Sequence, residues 1–166
     1  MTTPTYWLCL FNTTTWQEFC DAGGTVMGFP ETRRNTIKRI KPGDYLLGYM
    51  TGVSKWMAVL EVTSEPYFDS DTKIWKQASF PCRVKVNVVD HLDAETGVPA
   101  LSLSKQMRLF DRLKSPNWGL LFRTAPRELH PSDGELLRKA IAEGGEKGNK
   151  EKVNGKKLDS AEGQET

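Results

Sequence analysis

Short apolar runs and alternating stretches, broken by polar and glycine-rich punctuation, dominate the chain. Thr5 to Phe11 is apolar and aromatic and predicts a strand. Asn12-Thr13-Thr14-Thr15 follows, and Thr14 with Gln17, or Thr15 with Glu18, has capping-box spacing for a short helix through Ala22. Gly23-Gly24 stops that helix, since glycine accepts a left-handed C-terminal residue. Thr25 to Arg34 is irregular, Asn35 is placed to cap a turn over Thr36 to Ile40, and Lys41-Pro42-Gly43-Asp44 is a turn sequence. Tyr45–Met50 and Trp56–Thr63 form a hairpin pattern across a five-residue loop. From Phe80 to Val89 the chain alternates, with Cys82, Val84, Val86 and Val88 on one face and Arg83, Lys85 and Asn87 on a basic outer face.

Further on, Ser104–Leu113 has helical spacing through Leu103, Met107 and Phe110, and Trp118–Phe122 reads as a strand leading into Arg123–Leu129. Ser132 with Glu135 predicts a cap for a last helix reaching about Glu143. Strands of moderate length mixed with short helices predict an α+β domain on a small twisted sheet or barrel over residues 1–143. Residues 144–166 hold no aromatic and only Val153 and Leu158 as larger aliphatics, so a disordered charged tail is expected there.

Composition narrows the class. At 166 residues and 27% charged, the chain suits one soluble domain, with no apolar run long enough for a membrane helix. Three separated cysteines without a Cys-x-x-Cys pair argue for reduced thiols and a cytoplasmic setting, with no zinc site and no cofactor expected. The net charge of +2 is modest, but Arg33, Arg34, Lys38, Arg39 and Lys41 fall within nine positions free of acids. Such a cluster makes a local positive field able to hold phosphates.

Catalytic chemistry is hard to find. The chain has no dinucleotide, Walker or nucleophile-elbow motif, and its two histidines, His91 and His130, read as solvated loop residues. Asp69 and Asp71 could hold a cation, although solvated turn carboxylates are the simpler account. The expectation is a binding module and not an enzyme. Of five tryptophans, Trp75 stands out, flanked at Lys73 and Lys76 in a polar loop. It reads equally as a base-stacking platform or as a lid folded onto the core.

The ordered set Tyr6-Trp7-Leu8 with Asn12, Gly28-Phe29-Pro30, Arg34-Asn35-Thr36, Lys41-Pro42-Gly43-Asp44, Val59 to Tyr67, Phe80-Pro81 with Arg83-Val84, and Arg127-Glu128-Leu129 resembles the EVE domain family. That family belongs to the PUA-like superfamily and is related to YTH domains. The resemblance covers roughly residues 5–142. It implies a PUA-like curved β-barrel with packed short helices. It also implies binding of DNA or RNA with a modified base turned out into a pocket, and an association with a nuclease or other effector protein. YTH relatives read methylated adenine in RNA, and EVE domains are associated with modified cytosine. Carried onto this chain, the base pocket falls on Asn12, Val26, Met27, Gly28 and Phe29, with Tyr49, Trp75 and Phe80 as further walls. Arg33, Arg34, Lys38 and Arg83 become candidates for phosphate contact. Many relatives have a tryptophan where Val26-Met27 stands, and methionine gives no rigid stacking face. A small-molecule or nucleotide sensor using the same pocket is therefore the alternative.

Overall fold

The computed structural model describes residues 3–112 and 118–144. Strand β1 (Tyr6–Phe11) runs parallel to β3 (Tyr45–Met50), with Tyr6 opposite Tyr45 and Phe11 opposite Met50. Between them the chain crosses over through α1 (Thr13–Asp21), β2 (Val26–Phe29) and α2 (Arg34–Ile37). A hairpin joins β3 to β4 (Lys55–Val62). The two-residue β5 (Tyr67–Phe68), the long β6 (Cys82–His91), β7 (Val98–Pro99) and β8 (Arg127–Leu129) follow, and α3 occupies 131–144. The principal strand order is β2-β6-β4-β3-β1-β8, with β5 added on β6 and β7 on β4. The result is a curled half-barrel with short helices, an α+β architecture.

The two-residue period of a strand explains why β1 is almost uniformly apolar. Trp7, Cys9 and Phe11 enter one core with Phe19, Met27, Phe29, Ile37, Leu46, Leu60 and Val84. Tyr6 and Leu8 enter a second core with Leu47, Tyr49, Trp56, Phe122, Leu137 and Ile141. The first core is the barrel interior, closed by α1 and α2. The second lies on the other face of β1 and β3, beneath α3 and the described residues of the segment 100–122.

That segment departs from expectation. It forms three 3-10 stretches, Ala100–Gln106, Arg108–Arg112 and Trp118–Phe122, in place of one helix and one strand. The cause lies in Asp133, a buried carboxylate at the start of α3 that accepts the backbone N–H of Arg108 and of Leu109, both at 2.9 Å. A polar anchor there breaks a continuous helical ladder that spacing alone would allow. At the head of α1 the cap is Asn12, not Thr14 or Thr15: its Oδ1 accepts from the Thr15 amide at 2.8 Å, and the Thr15 hydroxyl accepts from the Asn12 amide at 2.9 Å. Helix α3 starts one residue before the expected Ser132 cap, with the Asp133 and Gly134 amides donating to the His130 carbonyl. Apart from Gly144, the expected tail lies outside the described residues, as does Leu113.

Asp44 joins the N-terminal ends of the two parallel strands. Its carboxylate accepts from the Thr5 amide at 3.0 Å, the Lys41 amide at 3.0 Å and the Trp7 indole N–H at 3.1 Å, and it is buried. The turn sequence before β3 thus fixes the entry to β1.

Candidate functional site

On β2 the alternation sends Met27 and Phe29 into the barrel core, leaving Gly28 facing outward. Gly28 lies directly across from Arg83 of β6. The loop from Asp69 to Pro81 folds back over this outer face. A Cβ on Gly28 would lie 2.7 Å from Trp75 Cζ3, 2.7 Å from Phe80 Cβ and 2.8 Å from the Phe80 carbonyl oxygen, so only glycine admits the loop this close. The Trp75 and Phe80 rings meet edge to face, centroids 5.2 Å apart and planes at 71°. The Trp75 indole N–H donates to the Thr15 carbonyl at 3.3 Å, and the Lys76 amide donates to the Glu18 carboxylate at 2.9 Å, tying the loop to α1.

Arg83 holds the loop from below. Its Nε donates to the Phe80 carbonyl at 3.0 Å, Nη2 donates to the Thr72 carbonyl, and Nη1 lies 3.4 Å from the Asp69 carboxylate. Asp69 in turn accepts from the amides of Asp71 and Thr72, each at 2.9 Å. Those hydrogen bonds, the Thr72 amide first, hold its carboxyl below the ordinary range, with Arg83 adding to the effect. Asp69 is thus occupied as a turn residue. Around Trp75, Phe80, Pro81 and Arg83 the loop encloses a recess of about 340 Å³.

Gly28, Trp75 and Phe80 therefore converge from distant parts of the chain, with the first turn of α1 beside them. Several other expected residues stand elsewhere. Met27 and Phe29 form no wall, because strand alternation commits them to the core. Val26, half-buried, does not line the recess, and Asn12 is exposed with its carbonyl oxygen spent on the helix cap. Tyr49 belongs to the second core and stacks on Phe122 at 3.8 Å, far round the sheet from Gly28. Trp75 is 2% exposed, so of its two expected roles the lid is the one seen. Its slot is filled by its own ring.

The cations divide similarly. Arg83 is 4% exposed and paired within the loop, which removes it from phosphate contact; alternation did place it outward, but the returning loop covers that face. Arg33 turns inward, Nη2 donating to the Pro126 carbonyl at 2.8 Å, while its Nε is buried without a partner among the described residues. Arg34 is half exposed, 3.2 Å from Glu31, with its guanidinium 4.1 Å above the Phe68 ring, next to the start of the loop. Lys38 and Lys41 are exposed and make no ion pair among the described residues. They edge a groove with Arg39, which pairs with Glu128 and lies 5.3 Å from the Trp7 ring.

Sequence reasoning named Tyr49 as a pocket wall but missed the cluster it belongs to. Trp118 and Phe122 form a recess of about 420 Å³ with Tyr49, Thr51, Gly52, Ser54 and Gly119.

The EVE domain family model matches residues 5–140. This chain belongs to the EVE domain family. A UPF0310 protein of Pyrococcus abyssi is 33% identical over 150 residues, covering 82% of this chain and 99% of the relative. A second, from Pyrococcus horikoshii, is 29% identical over 154 residues with the same coverages, 82% and 99%. Among solved structures, the YTH domain of Zygosaccharomyces rouxii MRB1, in complex with N6-methyladenosine RNA, superposes with a TM-score of 0.60 at 14% identity, covering 85% of this chain and 86% of that one. At that identity the likeness is one of fold. Among the described residues no helix is long and apolar enough to cross a membrane.

Proposed function

We propose that this EVE domain binds a single strand of nucleic acid and takes one base, expected to be modified, into the slot between Gly28 and the 69–81 loop. The observation that carries the reading is the contact of Trp75 with Gly28. A slot shaped for a planar ring, with a backbone acceptor at Thr15 for a ring N–H, is what a flipped heterocycle requires. In this conformation the Trp75 ring fills it. Entry of a base swings the loop outward on its Asp69 and Pro81 ends and leaves Trp75 stacked on the incoming ring, with Phe80 edge-on. Asn12 still has its side-chain amide to donate to a pairing edge.

The fold supports the reading, since the Zygosaccharomyces YTH domain of like architecture was solved with N6-methyladenosine RNA. Arg34, at the loop's start, with Lys38 and Lys41 supplies exposed positive charge for the flanking phosphates. The role we infer is recognition without chemistry on the base, leaving any reaction to a nuclease or another effector.

Fluorescence anisotropy with short labelled RNA and DNA strands, carrying N6-methyladenine, a modified cytosine or no modification, tests the proposal. With three exposed cations, log affinity should fall with log salt at a slope of about −2, taking ~0.7 per phosphate on single strands. A modified strand should bind more tightly than its plain counterpart. Absent binding to every strand, or binding indifferent to salt, would overturn the reading.

A further inference from the structure

We propose that the recess of Tyr49, Trp118 and Phe122 is a second nucleotide subsite, which stacks a further base of the strand whose modified base the slot captures. The inference rests on the base-capture reading above and extends it along the strand.

The hairpin after β3 is fastened to the head of α1. Both the amide and the hydroxyl of Thr51 donate to the carbonyl of Phe11, at 2.8 and 3.2 Å, and Phe11 immediately precedes Asn12. Asn12 caps the helix whose first turn, at Thr15, receives the Trp75 indole. The hairpin and the 69–81 loop are thus both tied to the start of α1. On the proposal, a strand with one base beside Asn12 continues towards the hairpin.

What lies there is built from rings. Tyr49 and Phe122 stack with planes 7° apart, and Trp118 meets Phe122 edge-on at 6.0 Å and 81°. Tyr49 and Phe122 are buried, whereas Trp118 and Gly119 are half-buried. The indole therefore offers surface to a ligand over a firm aromatic floor. The opposite rim is polar, formed by Thr51, Gly52 and Ser54.

Ser54 adds an independent sign. Among the described residues it is the non-glycine residue with positive φ, at 56°, a conformation that side chains other than those of Asn and Asp adopt rarely. Its carbonyl accepts from the Ala100 amide at 3.0 Å. Strained backbone held by its surroundings, at the rim of an aromatic recess, recurs at ligand sites. A planar heterocycle carrying hydrogen-bonding edges suits such a recess, with its face on Trp118 and its edge on the Thr51–Ser54 rim.

The test titrates the full chain with a modified mononucleotide and with di- and tetranucleotides extending from it on either side. Extension on one side should raise affinity on the order of tenfold, the worth of one stacked base. Trp118→Ala should abolish that gain while leaving mononucleotide affinity unchanged, and Trp118→Phe should keep most of it. Because an altered Trp118 could disturb packing, a 5-iodouracil placed at the added position that raises affinity provides a second readout in the unaltered protein, with photo-crosslinks expected at Trp118 or Tyr49. Equal wild-type affinity for mono- and tetranucleotides would overturn the subsite and leave base capture standing. So would a gain that survives in Trp118→Ala with crosslinks mapping elsewhere. Failure to bind any of the ligands would remove the base-capture reading and the subsite together.

Discussion

The Trp75 ring rests on Gly28, at a distance where a single added carbon would lie 2.7 Å from the ring and 2.8 Å from a backbone oxygen. The contact fixes both the closed loop and the slot beneath it. Gly28→Ala should therefore expel the loop, costing ~1–3 kcal/mol by overpacking. Chemical denaturation of Gly28→Ala, Trp75→Ala and the double variant measures the coupling. The double variant should be markedly less destabilised than the sum of the singles, because removing the ring removes the clash on that side. Strict additivity would mean that the loop is held by Arg83 and Glu18 and not by this contact.

The β1, β3 and β4 strands were legible because their apolar runs are long and bounded by turn residues. The closing α3 was legible from the capping-box spacing of Ser132 and Glu135. Gly28 and its partners Trp75 and Phe80 were brought to one pocket by the family resemblance, not by local pattern. Nothing local in Lys73-Ile74-Trp75-Lys76 says that the loop returns over β2, because that depends on the empty face Gly28 leaves. Arg83 was misread for the same reason. Alternation correctly put it outside the barrel, and a loop that begins 14 residues upstream then buried it. The helix expected from Ser104 was misread because Asp133, distant in sequence, captures the Arg108 and Leu109 amides. Periodicity reports a residue's own element and is silent about what later folds onto it.

Asp44 should be a stability hot spot with little bearing on binding. Its carboxylate satisfies the Thr5 and Lys41 amides and the Trp7 indole. Asp44→Ala leaves three donors without their acceptor, where one buried unpaired donor costs ~1–3 kcal/mol. A loss of about 3 kcal/mol or more is expected in urea denaturation, and Asp44→Asn, which keeps one oxygen, should lose less. Equal losses in the two variants would show that charge, not donor satisfaction, is what Asp44 supplies.

Arg83 and Lys38 should separate structure from phosphate contact. Arg83 is enclosed by Phe80, Thr72 and Asp69, so Arg83→Ala should lower the melting temperature by several degrees and loosen the loop. Lys38→Ala should leave the melting temperature nearly unchanged while flattening the salt dependence of binding by ~0.7 in slope. Calorimetry and anisotropy across a salt series read the two effects independently. A stable Arg83→Ala protein with a reduced salt slope would return that arginine to the interface.

The loop should also report on pH through Asp69. Hydrogen bonds from the Thr72 and Asp71 amides, with help from Arg83, hold its carboxyl below the usual value of ~3.9. A carboxyl whose folded value is depressed adds stability that is fully present above the unfolded value. That stability is lost as pH falls through the folded one, because only the unfolded chain then binds the proton readily. Loop closure should thus persist through pH 4 and weaken only below it. In a carbon-detected NMR titration the Asp69 carboxyl midpoint should lie under ~3.9. The Trp75 indole N–H resonance, which reports the bond to Thr15, should shift with the same midpoint. In Asp69→Asn that low-pH transition of the indole should vanish. An indole signal that stays fixed while Asp69 titrates would mean that the Gly28 contact alone keeps the loop down, and a base would then have to displace the ring against packing and not against a hydrogen-bonded hinge.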